Sequence, residues 1–360
     1  MSFSLACGFR RACARLIFRH VLAVLLPLLA AAPVQAREVV DMAGRTVTVP
    51  EVVERPFGAA PPLTALLYAL DPSLVRALNM AFTPGSEHML RPGTLALPVL
   101  GSAMGHGKQV NPEALLALQP DLALGWLNGN SDLPPAGIEA PFRKVGVPLV
   151  YVRLDTLADW PPAFEYVGRL VGRAARGKAL ADYIRGAMAR VAKATAGIPA
   201  AQKVRVYYAE TPDGLASDCH TSFHAETIAL AGGDNVYRCS QKTMVGQERV
   251  DMERVLLWNP QVIVAQDPLF LGNAATDARW QRIAAFKSGR VLDVPRKPMN
   301  WLDRPPSFMR ALGIQWLANA FYPDRFKVDM RAETRDFYRL FFGVELSKTD
   351  LDELLDRHPH

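Results

Sequence analysis

The sequence predicts an α/β protein made of two similar lobes, each built on a parallel sheet, with a cleft between them. Three observations lead there. Beyond residue 37, strand-like and helix-like runs alternate along the chain, the pattern of parallel-sheet α/β architecture. One phrase occurs twice, Asn111-Pro-Glu113-Ala-Leu-Leu-Ala-Leu-Gln-Pro120 and Asp251-Met-Glu253-Arg-Val-Leu-Leu-Trp-Asn-Pro260, and each copy runs on into a short apolar strand. A single long helical segment crosses between the copies.

Each copy of the phrase opens on an N-cap residue type, Asn111 or Asp251. Each then places a glutamate third and a proline tenth. The proline stops the helix, because the residue before it is pushed out of the α region. The copies lie about 140 residues apart, too far for a solenoid, whose repeats recur every ~20–50 residues.

The first 36 residues hold four arginines, Arg10, Arg11, Arg15 and Arg19, and no acidic residue. An apolar run from Val21 to Ala32 follows, and Val34-Gln35-Ala36 fits a small-x-small cleavage site. This reads as a secretory signal peptide over residues 1–36, cleaved after Ala36. The run is 12 residues long and holds Pro27, short of the ~20 apolar residues a spanning helix needs. Removing the segment lowers Lys+Arg from 41 to 37 against 35 Asp+Glu. The remaining chain is then near neutral, and its charge gives no reason to expect a nucleic-acid partner. Cys7 and Cys13 leave with the signal, while Cys219 and Cys239 remain. In an oxidising compartment an even pair reads as a disulfide; two free or metal-binding thiols are the alternative.

The elements follow in order. Arg37–Val40 and Thr46–Val49 flank Ala43-Gly44 and read as a small hairpin. Strands are expected at 122–125, 149–152, 204–208, 262–265 and 291–294, and helices at 63–69, 113–118, 223–231 and 306–320. Pro161 and Pro162 open the segment between the lobes, as proline does at a helix start. Gly172 and Gly177 predict a break in it, and a second helix is expected from Ala174 to Thr195. At 1.5 Å per residue that helix is roughly 30 Å long, and its stiffness predicts little hinge motion. The tail carries Phe337, Leu340, Phe341 and Val344 at helical spacing, so it is expected to pack back on the second lobe. The resulting division is an N-terminal lobe over 37–173, an interdomain helix over 174–198, a C-terminal lobe over 199–323 and a helical extension over 324–360.

Several constellations could carry chemistry. His220 and His224 lie four apart beside Asp218, Ser222 and Glu226, a spacing that metal ligands can use on one helix face. The glutamate is misplaced for the His-Glu-x-x-His of a zinc peptidase, and no nucleophile-elbow pattern surrounds Ser222. Loop and cap structure, ligand contact and a metal site all remain open there. An exported metal-dependent hydrolase using these histidines is the rival reading. Trp126 ends a strand at the place where open α/β sheets bind ligands. His106 sits in the glycine-rich stretch 101–108, which is expected toward the same side; Trp301 and Arg304 follow the last strand and offer another aromatic and a cation, with plain exposed surface as the alternative. Glu113 and Glu253 read either as first-turn glutamates favoured by the helix dipole or as matched surface anions, one per lobe.

Together these pieces resemble the exported substrate-binding proteins of bacterial ABC importers for ferric siderophores, haem and vitamin B12. Asp41-Met-Ala-Gly-Arg45-Thr-Val-Thr-Val-Pro50 is similar to that family's opening, and the segments around Pro120, Gly233, Pro260 and Pro305 to its later signatures. The resemblance implies two Rossmann-like lobes joined by one long helix, a shallow ligand cleft and no catalysis. It implies that Glu113 and Glu253 dock on arginines of an inner-membrane permease dimer, with the protein itself a periplasmic monomer. Family members often place an aromatic six residues before each docking glutamate, where this chain has Gly107 and Gln247. That departure disfavours a corrin and favours an iron chelate, held by His106, Trp126, Tyr208, His220, His224, Trp301 and Arg304. No intrinsic cofactor is expected. Cobalamin, haem, molybdate and a nickel chelate are the alternative cargoes.

Overall fold

The computed structural model describes residues 35–104, 108–129, 135–240 and 245–356. The expected signal segment lies almost wholly outside them. Among the described residues no helix is long and apolar enough to cross a membrane. Strands β1 (Ala36–Val40) and β2 (Thr46–Pro50) form a two-stranded ribbon. Its turn closes through Gly44 at φ 80°, a conformation that favours glycine, with the Asp41 carboxylate accepting the Ala43 and Arg45 amides.

Two parallel sheets follow. The first has the order β3 (Pro56–Gly58), β4 (Leu122–Trp126), β5 (Leu149–Val152). Helix α1 (Pro61–Leu70) leaves β3, α2 (Pro112–Leu118) enters β4, and α3 (Pro135–Lys144) links β4 to β5. In the second sheet β6 (Arg205–Ala209) pairs with both β8 (Asp234–Asn235) and β10 (Val262–Ala265), and β11 (Val291–Asp293) lies on the far side of β10. Helix α6 (Glu226–Leu230) precedes β8 and α7 (Met252–Trp258) enters β10. A short antiparallel pair, β7 (Ala216–Ser217) with β9 (Glu248–Arg249), edges this half. Helices α8 (Phe270–Thr276) and α9 (Ala284–Lys287) lie between β10 and β11.

The repeated phrase is a repeated corner. Helices α2 and α7 have seven residues each, and their N-cap side chains accept the backbone N–H of Glu113 and of Arg254. Each ends on a left-handed residue, Gln119 at φ 49° or Asn259 at φ 43°, directly before a buried proline. An arginine at the entry of the neighbouring strand then reaches back to the helix end. Arg55 Nε donates to the Gln119 carbonyl at 2.7 Å, and Arg205 donates to that of Trp258. These arginines satisfy carbonyls that the end of a helix leaves without a partner.

Helix α4 (Trp160–Leu170) packs along α5 (Ala174–Thr195), which joins the halves that carry the two sheets. The expected break falls at Gly172, at φ 70°. Gly177 has a different role. It lies inside α5, where a Cβ would stand 2.3 Å from the Phe164 carbonyl oxygen and 3.3 Å from Gly168 Cα. The glycine therefore sets how closely α4 and α5 approach.

The tail corrects a second expectation. Helices α10 (Arg310–Phe321), α11 (Met330–Phe341) and α12 (Lys348–Leu355) close the chain. Phe341 stacks on Phe308 at 4.8 Å and on Phe337 at 4.3 Å, but it also meets Phe164 of α4 and Tyr183 of α5. Phe342 meets Tyr68 of α1. The apolar stripe read from sequence is buried against both halves of the molecule, because aromatic rings are available on each.

Gly177→Ala should overpack the α4–α5 contact and cost about 1–3 kcal/mol, read as a lower urea midpoint with an unchanged m-value. An unchanged midpoint would show that the helices can separate freely.

Candidate functional site

A cavity of about 220 Å³ opens between residues from the two halves. It lies beyond the carboxyl ends of strands in both sheets, where α/β folds bind ligands. One wall follows β3 and α1 and carries Asn79, Met80, Phe82 and Thr83; the other follows β10 and β11 and carries Gln266, Arg296, Met299, Asn300 and Arg304. The walls touch at the bottom, where Thr83 Oγ1 donates to the Arg296 carbonyl at 2.7 Å.

The described lining contains no histidine, cysteine, tyrosine or carboxylate. It offers arginine and carboxamide N–H groups over an apolar floor. Arg296 is held by the carbonyls of Ala265 and Gln266 and by Asp293 at 2.5 Å, which leaves its buried Nη1 without a partner. Asn300 accepts the amides of Leu302 and Asp303 through Oδ1, so its Nδ2 remains available.

Arg304 borders the cavity from a left-handed backbone, φ 59°. A non-glycine residue at this φ is uncommon and persists where its surroundings hold it. Nε donates to Glu210 Oε1 at 2.7 Å, Nη2 to Asp218 Oδ2 at 2.5 Å and Nη1 to the Val245 carbonyl at 3.0 Å. Two carboxylates thus share one edge of the guanidinium, and Glu210 Oε2 is left without a donor. Burial and the adjacent Asp218 push the Glu210 carboxyl well above its ordinary range, against the pull of Arg304. A proton on Oε2 resolves the crowding, because Glu210 can then donate toward Asp218.

The network continues inward. Ser222 Oγ donates to Asp218 Oδ1 at 3.0 Å and accepts the His224 amide. His224 Nδ1 meets Asp303, whose other oxygen accepts from Arg310 at 2.6 Å. Burial raises the Asp303 carboxyl, but the charges of His224 and Arg310 outweigh it and hold the group below the usual carboxylate range. Arg310 also binds Glu226, which accepts the Leu157 amide from the segment preceding α4.

Of the residues expected at the ligand, Arg304 lines the cavity. His106 lies outside the described residues. Trp301 is fully buried and donates to Tyr338, and Tyr208 is buried with its hydroxyl on Gln266 at 3.0 Å. Both support the wall from behind and do not face it. Trp126 is 5% exposed, with Nε1 on Asp155 at 3.2 Å, and stays clear of the cavity. His224 belongs to the buried network. His220 sits beside the Cys219–Cys239 disulfide with a buried, unpartnered Nδ1, away from the cavity lining. Neither histidine lines the cavity. Sequence reading missed Arg296, Asn300 and the Met80–Thr83 wall. The available signal was position, since 296–300 directly follows the last strand.

Two parallel-sheet lobes on one stiff helix, with a cleft at their strand ends, define a solute-binding protein. Residues 88–298 match the family model described as periplasmic binding protein. A solved ABC transporter solute binding protein from Sulfurospirillum deleyianum is 34% identical, with a TM-score of 0.82 over 89% of this chain and 99% of that one. The molybdate-binding protein MolA of Haemophilus influenzae is 26% identical over 357 residues, 89% of this chain and 95% of that protein. The vitamin B12-binding protein of Vibrio parahaemolyticus is 25% identical over 71% of this chain and 85% of its own length. The chain belongs to the periplasmic binding protein family and is a solute-binding protein of the ABC-importer type.

Glu210→Gln tests the shared proton. A carboxyl whose folded pKa is raised contributes stability below its ordinary pKa and loses it as pH climbs toward the folded value. The variant should therefore gain in Tm relative to the native protein as pH rises from about 5 to about 9. A relative loss over that range would mean that Glu210 is ionised in the fold.

Proposed function

We propose that the protein captures an anionic, already complexed metal in the periplasm, an iron chelate of the ferric siderophore type, and delivers it to an inner-membrane permease without catalysis. The lining chemistry carries this reading. A bare metal ion would need imidazole, thiolate or carboxylate ligands, and the described wall supplies none. It supplies donor side chains, the Arg296 guanidinium and the Asn300 carboxamide, and apolar contact from Met80, Phe82 and Met299 for an organic shell. The cavity is smaller than the ~300–1,000 Å³ usual for drug-sized ligands, so the chelate is held by one edge and projects outward. A corrin stacked between aromatics fits poorly, since Phe82 is the one aromatic on the described wall. A second reading, a bare oxyanion, draws on the small volume and on the likeness to MolA.

Calorimetry against ferric catecholate, ferric hydroxamate, molybdate and cyanocobalamin separates them. Tight binding of a ferric chelate is expected, and tight binding of molybdate alone would overturn the iron reading. Met80 is 48% exposed on the wall, so Met80→Asp should leave Tm nearly unchanged while weakening an anionic ligand about tenfold, equivalent to ~1.4 kcal/mol. Unchanged affinity would place the ligand elsewhere.

Glu113 and Glu253 are exposed in the first turns of the equivalent helices α2 and α7, which favours their role as docking anions, one per lobe. Replacing both with alanine should abolish uptake and spare ligand affinity. Equal loss of both would show that they do not dock.

A further inference from the structure

The wall segment 296–300 is gripped from two sides. Thr83 holds it from the cavity, through the Arg296 and Pro298 carbonyls at 2.7 and 3.3 Å. Helices α11 and α12 hold it from behind. The Tyr338 hydroxyl donates to the Lys297 carbonyl, and the Lys297 ammonium meets Glu353 Oε1 at 2.5 Å. The same region also reaches the opposite half. His88 Nε2 lies 2.6 Å from Asp350 Oδ1 of α12, and Phe342, just past α11, packs on Tyr68, whose hydroxyl accepts the Arg91 amide at 2.8 Å; Arg176 of the crossing helix α5 donates to the Leu340 carbonyl. Residues 86–91 directly follow the Met80–Thr83 wall. The C-terminal helices therefore hold segments on both sides of the cavity.

We propose that Tyr338 and Glu353 on one side and His88 with Asp350 on the other are positioning residues that set the width of the cleft, so that the C-terminal extension determines which size of chelate is accepted. This rests on the cleft being the ligand site. A wall fixed from behind keeps its donors at a constant spacing, and binding then needs no ordering of the wall, a cost that otherwise reduces affinity. Releasing one side lets the spacing drift. The consequence is a change in ligand preference and not merely in stability.

The test uses the full chain with Glu353→Gln plus His88→Ala, and separately Tyr338→Phe, which keeps the ring and removes the hydroxyl. Neither variant replaces a residue of the Ser347–Asp350 capping box or of the cavity lining. Affinities for ferric bis-catecholate, ferric tris-catecholate and molybdate are measured beside Tm. The expected result is an affinity about tenfold weaker for the preferred ligand and a change of at least about fivefold in the ratio between small and large ligands, roughly 1 kcal/mol or more. A lower Tm with affinities and ratios unchanged would make the extension a stabilising cover only, and would overturn the proposal while the cleft reading stands. A native protein that binds none of the three overturns both.

Discussion

The structure depends on the neutralisation of two arginines. Arg310 is fully buried and Arg304 is mostly so, with its exposed part at the cavity, and an isolated buried charge costs several kcal/mol. Each is met by two carboxylates, Glu210 with Asp218 and Asp303 with Glu226. Those carboxylates come from the ends of separate elements: β6, β7, the loop before α10, and α6. Satisfying the charges therefore fixes where these elements end. The chain of contacts runs from the cavity wall at Arg304 to the Leu157 amide ahead of α4, so it also ties the two halves together.

Several contacts act at one seam between the halves. Helix α5 is held against α4 by glycine contact that leaves no room for a side chain. An aromatic layer of Phe164, Phe308, Phe337 and Phe341 fills the space beside it. Such rings gain both from burial and from their mutual geometry. The stiffness of the crossing helix is one reason to expect little hinge motion. The packed seam, to which the C-terminal helices add Phe337 and Phe341, is a second.

The fold was legible where local rules decide it. Strands at 122, 149, 262 and 291 start where expected, because apolar runs bounded by proline and glycine leave few alternatives. The corner at Pro120 and Pro260 was legible for the same reason, while its arginine clasp was not. Arg55 and Arg205 stand far in sequence from the carbonyls they reach, so only the paired strands bring them there. The site was less legible. Trp301, Tyr208 and Trp126 were chosen by residue type and by proximity to strand ends. Type says that a ring can contact a ligand, but the side of the strand or loop on which it emerges is set by tertiary packing. Arg296 was missed for the converse reason: nothing local marks an arginine whose three neighbours leave one nitrogen over.

The charge balance of the cleft bears on what it can hold. Arg304 is matched by Asp218 and Glu210 and Arg296 by Asp293. The wall then carries little net field, and long-range attraction of an anion is weak. Under the proposed function, selection would rest on local hydrogen bonds from lining groups such as Asn300. A compact oxyanion surrenders a strong hydration shell on binding and needs a donor for nearly every oxygen, since each unmet acceptor costs about 1–3 kcal/mol. A chelate spreads its charge over an organic shell, needs fewer donors, and gains from apolar burial at about 25 cal/mol per Å². With few free donors and Met80, Phe82 and Met299 beside them, the wall is the reason the chelate is proposed ahead of the bare oxyanion.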